Sequence, residues 1–108
     1  MPDEFNRTTE NELAEAVLTL LALRQSGKGR FEDLFRLIPK IIELTPEDLT
    51  KSESRPAECM WQQRVRNVTS HKGVEGNYIT AGYLVDIDGG LMITDGGRAR
   101  AEPPPARR

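Results

Sequence analysis

Residues 55–71, RPAECMWQQRVRNVTSH, constrain the fold of this chain more than any other segment. Pro56 stands where a helix can begin, because proline at the first helical position gives up no intrahelical hydrogen bond. At about 100° per residue, the apolar positions of this segment cluster on one side. These positions are Trp61, Val65 and Val68. We therefore predict an amphipathic helix that begins at Pro56, packs one face on a core and ends by Gly73.

The opposite side of the predicted helix carries polar groups suited to base edges. Arg66 and Asn67 are the candidates for direct base contact, since arginine pairs with the O6 and N7 of guanine and asparagine with the N6 and N7 of adenine. Gln63 and Ser70 share this face. The alternative is that Arg66 or Asn67 hydrogen-bonds within the fold, and that Gln63 and Ser70 are simply solvated.

Four further residues flank this face and suit phosphate contacts, which position a protein on DNA without specifying sequence. They are Arg55, Arg64, His71 and Lys72. Arg64 lies closer to the apolar side, so pairing with an acid on a neighbouring helix is its alternative role. The pattern as a whole predicts an interface for double-stranded DNA.

The distribution of charge supports this prediction in only one region of the chain. The net charge is −2, whereas affinity for nucleic acid comes largely from Lys and Arg. Residues 1–50 hold ten acids and six bases (−4), and residues 51–108 hold seven acids and nine bases (+2). Residues 51–72 hold five bases and two acids (+3), so the basic excess falls on the predicted DNA-binding helix.

The first half of the chain predicts two helices. Thr9 and Glu12 have the spacing of a capping box, apolar residues follow at helical spacing, and Gly27 marks the stop. Leu18 and Leu23 widen the apolar face, which indicates either a self-association surface or an ordinary core face. A second amphipathic segment begins at residue 31, and the proline at position 39 predicts a kink or an early end.

The remaining segments predict short elements. Thr45-Pro46 starts a short helix or turn, and residues 27–29 and 51–54 are expected to be loops. Residues 83–87 and 91–94, joined by Asp88-Gly89-Gly90, predict a β-hairpin. Thr94-Asp95 can cap a final short helix, and the glycines at positions 96 and 97 weaken that prediction.

The composition predicts one domain at residues 9–100, with a flexible start at 1–8 and a disordered Pro/Arg tail at 101–108. One cysteine and one histidine exclude an intrachain disulfide and argue against a metal site. We expect no cofactor and no catalysis. No secretory signal or membrane span is expected, which fits a reducing cytoplasm.

The order of predicted elements, helices followed by a hairpin, is that of a winged helix-turn-helix domain, mainly α with a small β-hairpin wing. The combination of Trp61-Gln62-Gln63-Arg64-Val65-Arg66-Asn67 with Ile93-Thr94-Asp95-Gly96-Gly97-Arg98 resembles the N-terminal winged-helix module of Mrr-type restriction endonucleases. The resemblance spans roughly residues 10–100. It implies a winged-helix fold, DNA as the ligand and the helix from Pro56 as the recognition helix. The nuclease domain of that family is a separate domain, which is not expected here.

The sequence thus predicts a DNA-binding module that serves as a regulator or as the recognition component of a restriction-type or mobile-element system. Asp86 and Asp88 near the hairpin tip run against this prediction, since like charge there is unfavourable beside phosphate. The alternative is a protein-interaction or dimerisation module on the same scaffold. A homodimer is a further expectation, because a chain of this size buries only part of its apolar surface.

Overall fold

The computed structural model describes residues 6–101. Within that range the chain forms four α-helices, three strands and one 3-10 turn, Ile38–Lys40. The helices are α1 Glu10–Ala22, α2 Phe31–Leu37, α3 Met60–Ser70 and α4 Asp95–Ala101, and the strands are β1 Lys28–Arg30, β2 Leu84–Ile87 and β3 Gly90–Ile93. The predicted combination of helices with a hairpin is confirmed. Residues 1–5 and 102–108, where a flexible start and a disordered tail were predicted, lie outside the described residues.

The strands form one antiparallel sheet in the order β1-β3-β2. The β2–β3 hairpin confirms the sequence prediction, and Gly89 in its turn has a φ of 74°, which glycine adopts without strain. The prediction of a loop at 27–29 is wrong, because residues 28–30 pair with β3 in the register Lys28↔Met92. A three-residue strand carries too little periodicity to be visible in the sequence. It forms because β3 offers a second edge.

The core lies between α1, α3 and the sheet. Seven residues of α1 are buried: Leu13, Ala14, Ala16, Val17, Leu18, Leu20 and Leu21. The wide apolar face of α1 is therefore a core face of this chain, and Leu18 is fully buried in it. Leu23, by contrast, is 80% exposed. Full burial of each such leucine stabilises the fold by about 1.5–3 kcal/mol.

The predicted start of α1 is confirmed. Glu12 donates its amide to the Thr9 hydroxyl, and the Glu12 carboxylate accepts from the Thr9 amide, as a capping box requires. Just before it, Thr8 is buried and bonds to Asp48, and Asn6 donates to Glu47. Residues 6–8 of the predicted flexible start therefore pack against the loop before α3.

The prediction that a helix begins at Pro56 is wrong, since α3 begins at Met60 with Cys59 as its N-cap. Pro56 lies instead in a turn closed by the Glu58 amide, which donates to the Arg55 carbonyl at 2.8 Å. An isolated bridge between Lys51 and Cys59 folds this segment back on itself. The fixed φ of proline suits a turn as well as a helix start, and long-range pairing decided between them.

Candidate nucleic-acid interface

α3 is anchored by the three residues that its periodicity predicts. Trp61, Val65 and Val68 are 4%, 0% and 0% exposed. The indole packs edge-on against Phe35 of α2, with ring centroids 5.7 Å apart. These contacts fix the rotation of α3, and the opposite side of the helix faces away from the core.

Arg66 does not extend freely from that face. Its Nε donates to both carboxylate oxygens of Glu58 at 3.0 Å, and its Nη2 donates to Glu58 Oε2 at 2.6 Å. The guanidinium carbon lies 5.0 Å from the ring centroid of Phe31 and 5.3 Å from that of Phe35. Arg66 therefore makes the internal hydrogen bonds that the sequence allowed as its alternative role.

The other predicted base-facing residues differ in exposure and in whether their side chains are already hydrogen-bonded within the protein. Gln63 is half-buried, and its side-chain oxygen accepts from the Ser52 hydroxyl. Asn67 is half-buried and Ser70 is exposed, and within residues 6–101 no side-chain hydrogen bond engages either of them. Asn67 and Ser70 are thus the predicted residues with unused hydrogen-bonding capacity on this face.

Arg64 pairs with an acid, as its alternative role had it, but that acid lies in the turn before α3 and not on a neighbouring helix. It donates to Asp48 Oδ1 at 3.2 Å, and its side chain is only 12% exposed. Asp48 is fully buried and also accepts from the Thr8 amide, the Thr8 hydroxyl and the Thr45 amide. Arg64 is therefore a structural residue, and its guanidinium is not available to contact a phosphate.

Burial by itself would raise the pKa of Asp48, but the hydrogen bonds from Thr8 and Thr45 outweigh it and lower that pKa below its usual value. The charged carboxylate joins the N-terminal segment, the loop before α3 and α3 itself. Sequence reasoning missed this junction. The Thr45–Asp48 spacing was the available signal, because Asp48 also donates its amide to the Thr45 hydroxyl.

His71 and Lys72 form exposed pairs at the end of α3. His71 Nδ1 lies 2.7 Å from Glu10 Oε1, which joins this end of α3 to the start of α1. Lys72 Nζ lies 3.0 Å from Asp86 Oδ2 on β2, and its hydrogen bond lowers the pKa of Asp86. The Lys72–Asp86 pair brings the hairpin beside α3. Arg55 is exposed in the turn before the helix.

Five of the eight predicted contact residues therefore hold intramolecular side-chain bonds: Gln63, Arg64, Arg66, His71 and Lys72. The four basic ones each meet a carboxylate. The positive excess predicted for residues 51–72 is consequently offset to a large extent by Asp48 and Asp86, two acids that lie outside that range. Sequence position alone did not indicate these acids.

An open groove of about 510 Å³ connects the three elements of this face. Phe31 and Phe35 of α2, Glu58, Arg66 of α3, and Asp88 and Gly89 of the hairpin turn contribute to its lining. A ligand seated there would meet the Arg66 guanidinium and the hairpin tip together. Asp88 adds negative charge at the groove and opposes an anionic ligand on that side.

Within residues 6–101, no three His, Cys, Asp or Glu side chains are grouped in a way that would hold a metal ion. In the same range, no helix has the length and apolar character needed to cross a membrane. No family model, curated protein or solved structure matches this chain.

Proposed function

We propose that this chain is a winged-helix module that binds double-stranded DNA and catalyses no reaction on it. In this proposal α3 enters the major groove and the β2–β3 hairpin is the wing. The observation that carries the proposal is that α3 has one buried side and one outer, polar side. Three buried residues hold its inner side, while Asn67 and Ser70 on its outer side keep their hydrogen-bonding groups unused by the described part of the chain.

The order of elements supports the same proposal. A helix-turn-helix module that contacts DNA presents its second helix to the major groove, and a wing is a hairpin placed beside that helix. Here α2 precedes α3, and Lys72 bonds to Asp86 on β2. The resemblance of residues 61–67 and 93–98 to the Mrr-type N-terminal module is a second line of support.

The charge pairs determine what kind of binding to expect. Arg66, His71 and Lys72 must exchange or share a carboxylate before they contact DNA, so non-specific affinity should be low. With only Arg55, His71 and Lys72 assigned to phosphates, about two to three contacts give a slope of log K against log salt of about −2 to −3. A steeper dependence of DNA affinity on salt concentration would require further cationic side chains in contact with phosphates.

A fluorescence anisotropy titration tests the proposal. Asn67→Ala should weaken binding to a preferred duplex of about 20 base pairs by about 1–3 kcal/mol with little change in melting temperature. Arg55→Ala should weaken binding to all duplexes alike and reduce the salt slope by about 1. Lys40→Ala is the matched control, because Lys40 is an exposed cation of the 3-10 turn. Absence of binding at low salt would reject the proposal.

Arg66→Ala is a less specific test than the sequence suggested. The sequence alone predicts that this substitution leaves the melting temperature almost unchanged. In the structure, Arg66→Ala also leaves the Glu58 carboxylate, whose side chain is 16% exposed, without its counter-charge. We therefore expect Arg66→Ala to lower both DNA affinity and stability.

A protein-interaction module is the second candidate function. The observation that favours it is the neutralisation of α3 by Glu58, Asp86 and Glu10, together with the acidic hairpin tip. A protein partner or a second copy would bind through apolar contacts, so its affinity should vary little with salt. Sedimentation at two protein concentrations would reveal a homodimer.

The proposed setting is the cytoplasm, where the half-buried thiol of Cys59 remains reduced. There the module would act as a regulator or as the recognition component of a restriction-type or mobile-element system. Co-purification with DNA, or with a separate effector protein, would distinguish these two roles.

A further inference from the structure

Glu58 engages one particular edge of the Arg66 guanidinium. Arginine presents its N–H donors in a planar fork with two usable edges, one formed by Nε and Nη2 and the other by Nη1 and Nη2. Glu58 accepts from Nε and from Nη2, so it takes the first edge. Nη1 and the second N–H of Nη2 form the other edge, and no described residue accepts from Nη1.

The remaining edge is open to solvent. Among the described residues, Thr69 Oγ1 is the one buried side-chain polar atom without a hydrogen-bond partner. Nη1 of Arg66 is therefore not buried, in agreement with the 29% exposure of this side chain. Phe31 and Phe35 pack against the guanidinium and restrict its orientation. Arg66 also lines the groove beside the hairpin, so this edge is the part of the guanidinium that remains for a ligand there.

Glu58 is itself held in place by the backbone. Its amide donates to the Arg55 carbonyl at 2.8 Å, and its carbonyl accepts from the Ser52 amide at 2.9 Å. Both bonds belong to the folded-back segment that precedes α3. The backbone that carries the Glu58 side chain is therefore fixed by a loop that lies outside α3, and the carboxylate reaches Arg66 from there.

We infer that Glu58 is a positioning residue that directs the open edge of Arg66 onto the O6 and N7 of a guanine. The inference rests on the proposed function. Two parallel donors match the two acceptors that guanine presents in the major groove, and a phosphate can be met by a guanidinium in many orientations. Because the Arg66 guanidinium is held in one orientation before binding, it does not adopt the orientations in which it would contact only a phosphate. Glu58 thereby increases discrimination between bases, and it adds no contact to DNA itself.

Selection from a pool of random duplexes, followed by anisotropy on the preferred duplex, tests this inference. The wild type should prefer one guanine by roughly 5- to 150-fold over the other bases, and 7-deazaguanine, which lacks N7, should abolish much of that preference. Glu58→Gln should reduce the preference to under about 3-fold, because the amide nitrogen turns one acceptor into a donor facing Arg66. Glu43→Gln is the matched control, since Glu43 is equally an exposed glutamate but lies outside the lining of this groove.

Arg66→Lys provides a second variant, in which Glu58 itself is unchanged. A lysine keeps the positive charge but cannot offer two parallel donors, so the guanine preference should fall while the salt slope stays the same. Circular dichroism melting of each variant reports whether it is folded at the assay temperature. Loss of preference in a folded variant is an effect that a purely structural role of Glu58 does not produce.

The outcomes separate the inference from the proposed function. If no duplex binds the wild type, both are overturned. If the wild type binds but shows no guanine preference, or if Glu58→Gln or Arg66→Lys retains it, the inference alone is overturned. A uniform increase in affinity of Glu58→Gln for all duplexes would also overturn it, because Glu58 would then act as a brake on binding.

Discussion

Replacing Asp48 with asparagine is expected to destabilise the fold by about 3–5 kcal/mol. The carboxylate is fully buried and accepts hydrogen bonds from Thr8, Thr45 and Arg64. Asparagine keeps one acceptor oxygen but turns the other into an NH₂ group among these donors. Arg64, only 12% exposed, also loses its counter-charge, and that uncompensated buried charge accounts for most of the cost.

Urea denaturation followed by circular dichroism at about pH 7 measures this effect. Small domains are stable by only about 5–15 kcal/mol, so the loss is a large fraction of the total, and the melting temperature should fall by roughly 12 °C or more. Asp88→Asn is the matched control, since Asp88 is exposed in the hairpin turn and its change should stay within about 0.5 kcal/mol. Adding Arg64→Met to Asp48→Asn should recover part of the loss, because no charge then remains buried without a partner.

The pH dependence provides an independent check of the same residue. Because its pKa is lowered in the folded state, Asp48 contributes stability at pH values above its unfolded pKa of about 3.8. That contribution is lost as the pH falls through the folded pKa. The stability difference between wild type and Asp48→Asn should therefore narrow in acid. At neutral pH, a loss of stability in Asp48→Asn that is no larger than the loss in Asp88→Asn would refute the reasoning. A stability difference between wild type and Asp48→Asn that grows in acid would also refute it.

Two further predictions concern the packing of α4 and the hairpin. Gly97→Ala should destabilise by about 1–3 kcal/mol in thermal melts, because its Cβ would overlap the carbonyl oxygen of Tyr83, whereas Gly96→Ala meets no atom nearer than 3.4 Å and should be neutral or stabilising. Equal melting temperatures of the two variants would contradict this account of α4. The hydrogen bond from Lys72 lowers the pKa of Asp86, so Lys72→Ala should raise the pKa of Asp86 measured by carbon-detected NMR toward its usual value. An unchanged titration would mean that the pair does not persist in solution.

Local signals in the sequence predicted the elements that depend on local interactions. The capping box of Thr9 and Glu12 placed the start of α1, and Asp88-Gly89 between two apolar runs placed the hairpin turn. The final short helix that Thr94-Asp95 allowed is present as α4, although the glycine pair counted against it. A helix forms there because Gly97 permits close approach to Tyr83, and its amide bonds to the Thr94 hydroxyl at 2.9 Å.

Long-range contacts explain what the sequence analysis did not predict. β1 exists because β3 has a free edge, and α3 begins at Met60 because the segment before it pairs back through Lys51 and Cys59. Arg66 was placed on the correct side of α3 by its spacing. Its partner Glu58 lies before the helix in a turn that helical periodicity does not describe.

By itself the sequence determined the inner side of α3, because the 3.6-residue period of Trp61, Val65 and Val68 is a local property of the chain. Only the tertiary structure decided which outer groups remain open to a ligand. A helical wheel gives the direction of a side chain but not what other segments bring opposite it. Here those segments bring carboxylates that engage the arginines and lysine, and they leave Asn67, Ser70 and one edge of Arg66 facing outward.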